Sequence, residues 1–298
     1  MKNSIKISTL GGDRRQVAVI KKLALSYDNI KVWGVKLSPP SETVSAVLYT
    51  DIDEAMEGAD VLILPLPTSS DGVTLNCPMY EGAAPKLVTL ARKIPTDCTV
   101  IGGRISEAFS KVANERGIKV FDYFESEDFQ IKNAYTTAEA ALSIAMNTLD
   151  RNIRGAKIAV TGYGRIAKHL CSLLLALGAD VTVAARRSSD LAWARSYGCK
   201  TVRISEGSDW LLVLKQGYDV IYNTVPYWLF DRDFLIDVDK STFIVDLASA
   251  PGGVDIRAAR ELGANVSWAT SLPGKYAPRS AGELIAECID NIIGEGFV

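Results

Sequence analysis

One histidine, His169, is present in 298 residues. Metal sites built on histidine clusters are thereby excluded, as is any mechanism needing two imidazoles. The five cysteines (Cys77, Cys98, Cys171, Cys199 and Cys288) are odd in number and scattered, and no C-x-x-C occurs. That pattern predicts reduced thiols of a cytosolic chain and offers no metal-ligand spacing. No apolar run is long enough to span a bilayer. The start, MKNSIKISTLGGDRR, lacks the apolar segment and small-residue cleavage site of a signal peptide, so a cytoplasmic chain is expected. Lys and Arg number 33 against 35 Asp and Glu, and no basic cluster stands out, so neither nucleic acid nor membrane is an expected partner. Low-complexity segments are also missing.

What is present is a large apolar fraction, 48%, on a chain long enough for two domains. The first half alternates strands (Ser4–Leu10, Ile30–Val35, Asp60–Leu64, Thr99–Gly102, Ile118–Asp122) with helices (Asp13–Ser26, Asp51–Glu57, Ala83–Lys93, Ser106–Arg116). Residues 65–81 read as an irregular loop. A long amphipathic helix is expected over Asn133–Leu149, with Thr136 and Thr137 followed by Glu139 as a capped start, then a charged joint at 150–155. The second half repeats the rhythm. Strands are expected at Lys157–Thr161, Asp180–Ala185, Lys200–Arg203, Asp219–Asn223, Thr242–Asp246 and Asn265–Ala269. Helices are expected at Arg165–Leu177, Leu191–Tyr197, Ser208–Gln216, Val254–Leu262 and Glu283–Ile293. This alternation predicts α/β architecture: two doubly wound, Rossmann-like parallel sheets joined by a long helix, with a cleft between domains. The expected division is 1–132 for a substrate-side domain and 133–279 for a nucleotide domain with its linking helix. Whether 280–298 returns to the first domain is open.

The stretch Lys157–Ala167 carries the sharpest signal. An apolar strand turns through Gly162-Tyr163-Gly164-Arg165-Ile166-Ala167 into an apolar-periodic helix, the context that makes G-x-G-x-x-(G/A) a dinucleotide fingerprint. Gly162 permits the turn, Gly164 lets backbone approach a pyrophosphate, and the helix start offers free N–H groups. A NAD site ends its second strand in an acidic residue for the ribose 2′-hydroxyl. Here that strand ends in Arg186-Arg187-Ser188-Ser189. Guanidinium groups suit a 2′-phosphate, so NADP is expected over NAD; the competing reading is a solvated strand end. Two later strand ends, Asn223-Thr224-Val225-Pro226 and Asp246-Leu247-Ala248-Ser249, should wall the nicotinamide side or be ordinary βα turns.

The chain resembles the A-subunit family of dipicolinate synthase nearly end to end. The resemblance rests on Gly11-Gly12-Asp13-Arg14-Arg15-Gln16, Pro65-Leu66-Pro67, Gly102-Gly103-Arg104, Asn133-Ala134-Tyr135-Thr136-Thr137-Ala138-Glu139, the fingerprint, Asn223-Thr224-Val225-Pro226 and Leu272-Pro273-Gly274-Lys275-Tyr276-Ala277-Pro278. It implies an enzyme that acts with a flavoprotein-like B-subunit in the mother-cell cytoplasm of sporulating bacteria. The pair would oxidise a dihydrodipicolinate-type intermediate of the lysine pathway to dipicolinate, passing hydride to NADP. Such a dicarboxylate wants cations and N–H groups, for which Arg14, Arg15, Arg104, Thr136 and Thr137 are the candidates; the competing reading for each cation is a surface charge. Lys275, Glu139 and Asp13, with Tyr276, are the candidate proton acceptors, whereas His169 belongs on the flank of the fingerprint helix. Two other readings stay open. One is a two-domain dehydrogenase of a shikimate-like or 2-hydroxy acid substrate, of which the 2-hydroxy acid form is opposed by the lack of histidine in 242–272. The other is a non-catalytic NADP-binding regulatory or scaffold protein. Homo-oligomerisation is also open.

Overall fold

A computed structural model describes residues 4–37, 45–206 and 209–296. The chain divides into two compact units, 1–133 with 277–298, and 134–276.

The first unit runs β1 (Ile7–Leu10), α1 (Arg14–Leu23), β2 (Ile30–Trp33), β3 (Ala46–Tyr49), α2 (Ile52–Met56), β4 (Val61–Ile63), α3 (Leu87–Lys93), β5 (Thr99–Gly102), α4 (Glu107–Glu115) and β6 (Val120–Asp122). Its six strands are all parallel, in the order β3-β2-β1-β4-β5-β6. The central strands β1, β4 and β5 are buried at every residue, as a sheet covered on both faces requires. Edge strand β3 was not expected from the sequence. Val47 and Leu48 on it are half exposed, so its apolar pattern is weak.

Helix α5 spans Glu127–Thr148, and the division between units falls within it. This corrects the expected start near residue 133. Ser126 opens the helix, its carbonyl accepting from Gln130 N and its Oγ from Phe129 N, with Glu127 and Asp128 on the positive dipole end. Thr136 and Thr137 therefore lie in the helix interior, where their N–H groups belong to the helical ladder and offer no anion site.

The second unit runs β7 (Lys157–Thr161), α6 (Arg165–Ala176), β8 (Asp180–Ala185), α7 (Ser188–Ser196), β9 (Lys200–Arg203), α8 (Trp210–Leu214), β10 (Val220–Asn223), α9 (Arg232–Asp237), β11 (Phe243–Asp246), α10 (Ile256–Leu262), β12 (Val266–Trp268) and α11 (Leu272–Tyr276). The order β12-β11-β10-β7-β8-β9 repeats the topology of the first sheet. Helices α9 and α11 were not expected; α11 contains Pro273 and Gly274, which hide it from propensity. Ser208, the expected first residue of the helix seen as α8, lies outside the described residues.

Helix α12 (Pro278–Gly294) starts on a proline at its first turn, where a missing N–H costs nothing, five residues before the expected Glu283. It belongs to the first unit. Ile285, Ile289 and Ile293 recur every fourth residue and are buried in the core with α1. Gly282 allows the closest approach: a Cβ there would come within 2.3 Å of the Arg15 carbonyl oxygen.

Candidate functional site

In the second unit, strand order reverses between β7 and β10, the place where open α/β sheets bind ligands. The turn after β7 is built by two glycines with different tasks. Gly162 has φ of +83°, and a Cβ there would lie 2.7 Å from Thr224 Oγ1 and 2.9 Å from Val225 Cγ2. It is glycine because the β10 turn leans on it. Gly164 is the N-cap of α6 with no side-chain cap, and an added Cβ would meet nothing within 4 Å. The start of this twelve-residue helix thus carries no capping side chain of its own, the kind of place where a helix can hold an anion. Ala167 is fully buried, as a close helix–strand contact demands. Tyr163 turns into the core, where burial pushes its hydroxyl up to about 12. Arg165 and Ile166 form the exposed and half-buried first turn of α6.

The neighbouring strand ends are tied by buried polar side chains. Asn223 accepts from Thr161 Oγ1 at 2.6 Å and from Val225 N at 3.1 Å, and its amide donates to Asp246 Oδ1 at 2.8 Å and Val225 O at 3.0 Å. Asp246 also accepts from Ala248 N and Gly253 N. Thr224 Oγ1 donates to Thr161 O at 2.7 Å. Asn223 and Asp246 are both fully buried, so their side chains shape the β10 and β11 turns from below. The groups these turns present outward are Thr224, Val225, Pro226 and Ser249, with Ala248 a small buried floor.

At the end of β8, Arg186 is exposed with no ion pair among the described residues. Arg187 caps α7 by position and pairs with Asp190, Nε to Oδ2 at 2.8 Å. Ser188 Oγ accepts from Arg203 Nη1 at 2.9 Å. Arg203 is a residue the sequence reasoning missed; its signal was its place at the end of the strand beside β8.

The first unit has the same topology and a glycine turn after β1, yet its helix start is filled. Gly11 and Gly12 have φ of +64° and +110°. Asp13 then caps α1, accepting from Arg15 N at 2.9 Å, while the Arg15 guanidinium grips the same carboxylate through Nε at 3.0 Å and Nη2 at 2.7 Å. Nη2 also donates to the carbonyl of Leu66 in the β4 turn. Arg15 is buried by this clamp, and Asp13 has both oxygens engaged, which works against the roles expected for them in substrate binding and proton transfer. Arg14 is exposed.

Arg104 stands at the end of β5 with φ of +52°, a left-handed conformation unusual for a residue with Cβ. Asp122 imposes it, accepting from Arg104 N at 3.0 Å and Ile105 N at 2.8 Å. The guanidinium lies over the Phe124 ring, 4.5 Å from its centre, and is exposed. Stacking holds the plane while leaving the edges to form paired bonds to a carboxylate. Asp122 and Phe124 were not anticipated as its supports. Tyr123 OH and Gln16 Nε2 are buried in this unit with no hydrogen-bond partner among the described residues.

The remaining candidates lie in the second unit. Glu139, Lys275 and Tyr276 are exposed, and Thr136 and Thr137 are buried along α5. His169 packs edge-on against Tyr135 at 5.5 Å between ring centres, consistent with a helix-flank role. No helix among the described residues is long and apolar enough to cross a membrane, and no metal-binding cluster of His, Cys, Asp and Glu occurs among them.

Residues 6–124 match the family model for the N-terminal domain of the dipicolinate synthase A-subunit. The dipicolinate synthase A-subunit of Bacillus subtilis (strain 168) is 30% identical over 297 residues, covering 99% of this chain and 98% of that one. The crystal structure of the dipicolinate synthase A-subunit from Bacillus halodurans superposes with a TM-score of 0.86 at 28% identity, over 98% of this chain and 99% of that chain. A transhydrogenase from Sinorhizobium meliloti shares the fold, with a TM-score of 0.65 at 17% identity over 97% of this chain and 94% of that one. With a full-length relative at this identity, the chain belongs to the A-subunit family of dipicolinate synthase.

Proposed function

We propose that this chain is the NADP-dependent oxidoreductase component of a dipicolinate synthase, acting with a B-subunit on dihydrodipicolinate in the cytoplasm of the sporulating mother cell. The observation that carries the reading is the uncapped start of α6 at Gly164, with Arg186 at the end of the adjacent β8, in a chain of this family. The N–H groups after Gly164 would hold the pyrophosphate, and Arg186 with Ser188 the 2′-phosphate. Thr224, Val225, Pro226, Ala248 and Ser249 would wall the nicotinamide. NADP, when bound, supplies the hydride acceptor.

The substrate is a small ring bearing two carboxylates. Arg104 fits one carboxylate bidentately, and exposed Arg14 adds positive charge. Oxidation removes one hydride and one proton from the ring, and aromatisation drives it. The protein's task is therefore mainly alignment. With Asp13 tied to Arg15, Glu139 and Lys275 are the proposed proton acceptors.

The test is to give NADP+ and freshly generated dihydrodipicolinate to the purified chain, to the B-subunit and to the two together, and to follow NADPH and the ultraviolet absorbance of the pyridine product. Product with both chains is expected. No product with both sinks the assignment. Product from the B-subunit on its own would leave this chain a scaffold.

A further inference from the structure

We infer that Arg203 is a specificity-determining residue for the dinucleotide 2′-phosphate, taking with Arg186 and Ser188 the part that adjacency in sequence would give to Arg187. The inference rests on the NADP reading above and names the residues that would execute it.

Strand β9 lies beside β8 in parallel register, with Ala185 opposite Arg203 and Ile204 N donating to Ala185 O at 2.9 Å. Arg203 is thus the last residue of its strand, at the level where β8 delivers Arg186. The end of β8 is the ribose corner of this fold. The side chain of Arg203 reaches across the turn to Ser188, Nη1 to Oγ at 2.9 Å. A serine hydroxyl that accepts from a cation keeps its own proton for a further acceptor, and a phosphate oxygen is a strong one. The corner therefore pairs one guanidinium with a hydroxyl polarised towards donation.

Arg187 is diverted from that corner. Its Nε is tied to Asp190 Oδ2 at 2.8 Å, within one helical turn. The carboxylate offsets its charge and fixes its direction. Arg186 carries no such partner among the described residues. Helix α7, nine residues long, begins here with no side-chain cap at Arg187. Its opening N–H groups add a favourable potential for an anion that the two guanidiniums and Ser188 would hold directly. Two arginines from different strands can approach a dianion from two sides. Two consecutive arginines on one strand end point apart.

The test uses the whole protein and binding alone. Affinities for NADP+, NAD+, 2′,5′-ADP and 5′-AMP are measured by calorimetry for the wild type, Arg203→Ala, Arg203→Lys and Arg187→Ala, each checked for an unchanged melting temperature. The wild type is expected to prefer the 2′-phosphorylated member of each pair. Arg203→Ala should cut that preference by about 10- to 100-fold, the worth of a lost charge-assisted hydrogen bond, while 5′-AMP binding holds. Arg203→Lys should recover part of it, and Arg187→Ala should change it little. An unchanged preference in folded Arg203→Ala, with loss in Arg187→Ala, overturns the inference while leaving the NADP reading intact. A wild type that binds no dinucleotide, or favours NAD+, overturns both at the first measurement.

Discussion

Asp13 and Arg15 close a ring on themselves at the start of α1: the carboxylate accepts the Arg15 backbone N–H at 2.9 Å and is gripped by the same residue's guanidinium at 2.7 Å. The corresponding place in the second unit, at Gly164, has no side chain at all. Two sheets with one topology therefore differ in how the helix after the first strand is capped. The glycine turn of the first unit ends in a capping carboxylate, and that of the second ends in a residue that has none to offer.

The Arg15 clamp is structural. Its guanidinium joins the β1 turn to the β4 turn through Leu66 O, in a buried setting. Arg15→Met should lower stability by about 2–4 kcal/mol, because it strands a partly buried carboxylate and an unpaired carbonyl. Urea denaturation followed by circular dichroism checks this. A change under half that size would mean that water replaces the clamp.

Copying the capping carboxylate tests the proposed anion site. Gly164→Asp should leave stability within about half a kcal/mol of the wild type or raise it, since aspartate is a better N-cap than glycine. Dinucleotide affinity should fall by at least about tenfold, because a carboxylate then occupies the phosphate's place and repels it. Calorimetric titration and a thermal melt on the same sample separate the two effects. Retained affinity would remove α6 from the site.

Arg104→Ala should weaken substrate use strongly, raising KM, while leaving NADP binding within about twofold. Arg104→Gly relieves the left-handed backbone and should be the more stable of the two, by about 0.5–1 kcal/mol, though equally poor with substrate. Equal loss of substrate use and cofactor affinity in both variants would point to a folding defect.

Alkaline pH should unfold the protein through its buried phenols and thiols. Burial raises Tyr123 and Tyr222, pushes Tyr163 up to about 12, and moves Cys98 to about 12 and Cys288 to about 11. Each value lies above that of the unfolded chain, near 10 for tyrosine and about 8.5 for cysteine. Their contribution to stability is thus complete below about pH 8.5 and is lost as pH rises through the folded values. A titration at 295 nm should show these tyrosines ionising together with loss of the circular dichroism signal. Ionisation of all 11 tyrosines near pH 10 with the fold intact would contradict the burial.

The sequence by itself determined the two α/β units, the strand–turn–helix fingerprint and the basic end of β8. These are carried by residues next to one another, through apolar periodicity, glycine spacing and strand-end chemistry. Only the tertiary structure decided how such signals combine. It placed Arg203 on Ser188 across fifteen residues and spent Arg187 on Asp190. It brought α12 back to the first unit, where Asp290 accepts from Tyr27 across 263 residues. It moved the start of α5 to Glu127, so that Thr136 and Thr137 became helix interior. It also decided between two glycine turns that read alike, by folding the Asp13 carboxylate onto its own helix and leaving Gly164 bare. The reason is physical: a side chain's role depends on which groups packing brings within hydrogen-bond reach, and those partners lie on other strands and helices.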